Sequence, residues 1–128
     1  MTAEDLLTAE DRQRAKAQRI LLQLSELLHE LHHPRASAVE QLALAFGEAP
    51  ADVWQAIDGN DWWAGAGSLA AETMADNPGI SDQVWQLQVR RFRELLIELG
   101  ELLQQRGQPN PGLGSWLLAF QNWNASGV

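Results

Sequence analysis

Two stretches of this chain repeat apolar residues at intervals of three and four, and that spacing leaves few folds open. In the first, Ala17, Ile20, Leu21, Leu24, Leu27, Leu28 and Leu31 form one stripe that ends at Pro34. In the second, Trp85, Val89, Phe92, Leu95, Leu96, Leu99, Leu102 and Leu103 continue a stripe to Gly107. A helix with such a face is stable only when something covers it. No segment sustains period-two alternation, and β-branched residues are few. The expected class is all-α: a compact helical bundle with two long, roughly antiparallel helices and several short helices crossing them.

Start and stop signals divide the rest of the chain. Thr2 and Thr8 are each followed three residues on by an Asp, so either can open the first helix. Ser37 with Glu40 reads as a capping box for a second helix that turns Val39, Leu42 and Phe46 inward and stops at Gly47. Pro50 suits the first turn of a third, through Val53, Trp54 and Ile57 to Gly59. Ser68 caps a fourth, Leu69 to about Ala75, which Asn77-Pro78-Gly79 breaks. Ser81 or Asp82 starts the longest helix. After a turn over residues 108–112, Ser115 is expected to cap a terminal segment bearing Trp116, Leu117, Phe120 and Trp123.

The chain has 128 residues, 45% of them hydrophobic and six of them Trp, which is enough for one core. A single helical domain over residues 1–128 is therefore expected, with 1–10 as a frayed start. Without cysteine there is no disulfide framework, thiolate metal site or thiol chemistry. The acidic, polar first residues do not read as a signal peptide and no apolar run reaches membrane length, so a soluble cytoplasmic protein without a membrane partner is expected.

Charge is unevenly distributed. Residues 1–39 carry six acids and five bases, and residues 83–128 three acids and four bases. The excess lies between: Glu40, Glu48, Asp52, Asp58, Asp61, Glu72, Asp76 and Asp82, with no Lys or Arg among them. Such a block repels nucleic-acid phosphates and anionic lipid and favours a basic protein partner. Inside it lies Asn60-Asp61-Trp62-Trp63-Ala64-Gly65-Ala66-Gly67-Ser68-Leu69, the segment least like its surroundings. Trp54, Trp85 and Trp116 fall on apolar faces and are assigned to the core. Two readings stay open for the adjacent pair: one Trp is buried and the other is exposed as an anchor for a partner, or both pack beneath the loop.

Three patterns suggest chemistry. His29-Glu30-Leu31-His32-His33 matches H-E-x-x-H, which on a helix aims His29 and His33 at one zinc with Glu30 as base. Pro34 follows at once, no strand is visible to hold a substrate, and histidines near a helix C-terminus also suit its dipole. Gly65-Ala66-Gly67-Ser68 lacks the lysine of a phosphate loop and is flanked by acids, so its glycines are read as a tight turn into the Ser68 cap. Asp58 with Asp61, and Glu72 with Asp76, have no second chemical group beside them and are read as solvated acids. No catalytic residue, metal or cofactor is assigned.

Trp63-Ala64-Gly65-Ala66-Gly67-Ser68-Leu69 resembles a family of small bacterial domains of unknown function carrying W-G-G-[AM]-G-S and an aliphatic residue. In that family a long amphipathic helix follows, and some members end in F-x-x-W; the counterparts here are the helix from Ser81 to Arg106 and Phe120-Gln121-Asn122-Trp123. The resemblance covers about the C-terminal half, with Ala64 where glycine is usual. It implies an immunity protein that neutralises a contact-delivered (polymorphic or type VI) toxin. With the acidic block, it places the expected partner surface at Asp52, Asp58, Asp61, Trp62, Trp63, Glu72 and Asp76. The alternatives are a zinc hydrolase using residues 29–33 and a helical adaptor that self-associates; the oligomeric state is left open.

Overall fold

The computed structural model describes residues 8–65, 67–73, 82–107 and 109–126. Among these the chain is all-α, as the two stripes require: α1 (Ala9–Glu30), α2 (Ala36–Ala45), α3 (Pro50–Ile57), α4 (Asn60–Trp63), α5 (Leu69–Glu72), α6 (Asp82–Arg106) and α7 (Leu113–Ser126). None of these helices is long and apolar enough to cross a membrane. The residues group into two compact units, Met1–Val53 and Trp54–Val128, whose boundary falls inside α3.

In the first unit, α1 and α2 form a hairpin. The Thr8 hydroxyl accepts the Asp11 N–H at 3.0 Å while the Asp11 carboxylate accepts the Thr8 N–H at 3.2 Å, a reciprocal cap that starts α1 at the later of the two expected positions. The alternative cap, Thr2, lies outside the described residues. Every residue of the first stripe is buried, Ala17, Ile20, Leu21, Leu24 and Leu28 completely. Burying each such Leu or Ile contributes about 1.5–3 kcal/mol. Gln18 Nε2 donates to the Ala43 carbonyl at 2.9 Å, tying α1 to the end of α2. The expected cap at Ser37 does not form. Arg35 is already near helical angles (φ −90°, ψ 0°), and α2 begins at Ala36, whose side chain is buried, so Ser37 lies exposed inside the first turn. Glu40 instead faces His29 Nε2 at 3.4 Å. Val39 and Phe46 are buried as expected, and Leu42 is half-buried.

The second unit is built on an antiparallel pair, α6 and α7. Contact runs from Gly100 against the Leu117 side chain to Asn124 Nδ2, which donates to the Arg90 carbonyl at 3.3 Å. Between them the Arg93 guanidinium sits 5.0 Å from the Trp123 ring, and burial lowers the pKa of that arginine from its ordinary value. Val89, Phe92, Leu95, Leu96, Leu99, Leu102 and Leu103 of the second stripe are buried, but Trp85 is only half-buried, as is Trp116 on α7. Both depart from the core positions that their apolar faces predict. Trp54 meets that expectation, at 8% exposure beneath the Arg106 guanidinium, 3.7 Å from its ring. Ser115 is not a cap either. α7 starts two residues earlier, where Leu113 is fully buried and its N–H donates to the Asn110 carbonyl at 3.0 Å.

Candidate functional site

The Trp-Trp segment is built by short-range bonds. Gly59 in extended conformation opens α4, a single turn that carries Trp62 and Trp63. Trp63 is completely buried, and its Nε1–H donates to the Ile57 carbonyl at 2.8 Å, so the indole loses no hydrogen bond on leaving water. Gly65 then takes φ +79°, which a side chain would resist, and its carbonyl accepts both the Ser68 N–H at 3.2 Å and the Ser68 hydroxyl at 2.8 Å. The same Ser68 oxygen accepts the Ala71 N–H and caps α5 as expected. That helix ends at Glu72, short of Ala75, and the expected break at residues 77–79 lies outside the described residues. These bonds give Trp63, Gly65 and Ser68 structural roles and explain the motif without a ligand.

A second segment locks the first in place. Asn110 donates its backbone N–H to Asp58 Oδ1 at 2.8 Å, and its side-chain amide donates to the Asp58 carbonyl at 3.0 Å and to Asn60 Oδ1 at 2.9 Å. Its own Oδ1 accepts the Gly112 N–H at 2.9 Å. Gly112 lies so close to the Trp63 carbonyl oxygen that a Cβ there would overlap it. By sequence, residues 108–112 read only as a turn. The asparagine between two prolines, followed by a glycine, was the available signal, but nothing local says which loop it holds.

The seven residues expected at the partner surface separate accordingly. Trp62 is 6% exposed and Trp63 0%, so the reading in which one stands exposed as an anchor is replaced by the one in which both pack inside. Asp58 is half-buried and engaged by Asn110 rather than presented to solvent. Asp61 is exposed and Glu72 half-buried, on α4 and α5, which are in contact. Asp52 is exposed on the first-unit part of α3. Asp76 lies outside the described residues.

The H-E-x-x-H match does not become a helical ligand pair. α1 stops at Glu30, His32 takes φ +55°, and the His33 N–H reaches back to the Leu28 carbonyl at 2.8 Å while the His32 N–H bonds that of His29. This is a Schellman terminus, with histidine in the left-handed position that usually holds glycine. It takes His33 off the helical face that carries His29. His33 Nδ1 accepts the Arg35 N–H at 3.1 Å and His29 faces Glu40, so each ring already has a partner of its own. Among the described residues, no three His, Asp or Glu side chains converge as a metal-holding group.

Comparison of the chain with protein-family models, with curated proteins and with solved structures finds no match in any of the three.

Proposed function

We propose that the chain is an immunity protein that binds and neutralises a cognate protein toxin, with exposed acids meeting a basic face of that toxin. The observation that carries this reading is the segregation of charge: every uncompensated acid lies between residues 40 and 82, in a stretch without a single Lys or Arg. The resemblance of residues 63–69 to the W-G-G-[AM]-G-S family points the same way. Among the described acids of that stretch in the second unit, Asp61 is exposed and Glu72 half-buried, and Asp58 is the one that Asn110 engages. Trp62 and Trp63 serve as their scaffold, because a buried indole contributes to binding only by fixing the surface above it. Recognition led by charge raises the association rate and selects the partner more than it slows dissociation.

The test is co-expression with the product of the neighbouring reading frame. Expressed alone that product should arrest growth, and this chain should bind it and restore growth. The double variant Asp61→Lys/Glu72→Lys should slow association about tenfold or more at low salt, with a smaller effect at high salt. A neighbour that is harmless or unbound removes the immunity reading. Unchanged association by the folded double variant removes the surface but not the function.

A further inference from the structure

Among the described helices, α7 alone carries no ionisable side chain, in a protein of net charge −8. Its inner face, Leu113, Leu117 and Phe120, is buried in the second unit. The outer face carries Gly114, Ser115, Leu118, Gln121, Asn122 and Ala125, all exposed, with Leu118 at 62%. Spaced at three and four, these residues share one side of the helix. Leu118 lies near its middle, between a glycine and an alanine small enough to let another backbone approach.

We propose that this face pairs with a second copy of the chain, in an antiparallel two-fold contact centred on Leu118. The argument for that occupant is electrostatic. In a two-fold contact each residue near the axis meets its own copy, so any charge there faces a like charge. Two molecules of net charge −8 already repel, and a homotypic contact forms most easily on a surface that adds nothing to the repulsion. A basic partner has the opposite requirement and would be drawn to the acidic block. Leu118 against Leu118 supplies apolar burial, and Gln121 and Asn122 can hydrogen-bond across the axis without charge.

The contact is small. A helix of 14 residues is about 21 Å long, and one such face covers well under the roughly 800 Å² per partner of a stable interface. Association is therefore weak and concentration-dependent, with a Kd of order 100 μM. Salt sets its direction: screening the mutual repulsion tightens it, whereas a contact between acids and bases loosens.

Sedimentation velocity of the full chain from about 10 μM to about 1 mM, at about 0.05 M and 0.5 M salt, tests this. The expected result is a rise towards the dimer value with concentration, several-fold tighter at the higher salt. Leu118→Glu should weaken association at least tenfold with circular dichroism and melting unchanged. Leu87→Glu, at the other strongly exposed leucine of this unit, should leave it intact. A monomer throughout, association by Leu118→Glu equal to the parent's, or dissociation by salt would each overturn the proposal. The contact is independent of the toxin reading, whose failure would leave it standing.

Discussion

Asn110 and Asp58 hold each other at two points: the Asn110 backbone N–H lies 2.8 Å from Asp58 Oδ1, and its side-chain amide lies 3.0 Å from the Asp58 carbonyl. The pair joins the loop before α7 to the end of α3. Asn110→Ala removes the donors to Asp58 and Asn60 and the acceptor for Gly112, and should cost about 1–3 kcal/mol in urea unfolding. Asp58→Ala should cost more than Asp58→Asn, because the amide keeps an oxygen for the Asn110 N–H. Equal losses would mean that the hydrogen bond is not what stabilises this corner.

Gly112→Ala sets a methyl against the Trp63 carbonyl oxygen, and a backbone atom cannot move aside as a side chain can. It should cost about 1–3 kcal/mol. A neutral result would show that the loop has room to shift.

Trp63→Phe leaves the Ile57 carbonyl without its donor and opens a gap at a fully buried site. A loss of about 2–4 kcal/mol is expected. Where the variant still folds, binding to a partner should be unaffected, since the ring does not reach the surface. Loss of binding in a folded Trp63→Phe would restore the indole as a contact.

His32 holds φ +55° without glycine's freedom and with its side chain exposed. His32→Gly should therefore stabilise the chain by about 0.5–1 kcal/mol, relief of strain exceeding the added entropy of the unfolded state. Destabilisation would mean that the histidine side chain supports the turn in a way its backbone angle does not reveal.

The pKa of Asp11 is lowered from 3.8, first by hydrogen bonding to the Thr8 side chain and next to the Thr8 backbone, with smaller help from Arg14 and Arg12. A carboxyl with a lowered folded pKa stabilises above its unfolded value, and that contribution is lost as pH falls through the folded one. The first turn of α1 should fray below about pH 4, read by amide exchange at residues 10–12, and Asp11→Asn should abolish the pH dependence there. Persistence of that dependence in Asp11→Asn would assign it to another group.

The sequence alone determined the helical class, the presence of the two long helices, the Ser68 cap and the proline start of α3, and it left Thr2 and Thr8 both open as the start of α1. Each depends on residues within one or two turns of one another, where periodicity and capping act directly. The Ser37 and Ser115 caps failed because burial of Ala36 and Leu113 pulled the helices open earlier than local preference would place them. The H-E-x-x-H match failed where the chain reversed at His32. What only the tertiary structure decided is which polar and aromatic groups of the acidic block reach solvent. Trp62 and Asp61 are neighbours, yet one is inside and the other outside; Asp58 reads as a surface acid in the sequence, yet Asn110, far along the chain, engages it. Burial and hydrogen bonding at that separation depend on how distant segments meet, and residue type and spacing along the chain carry no record of it.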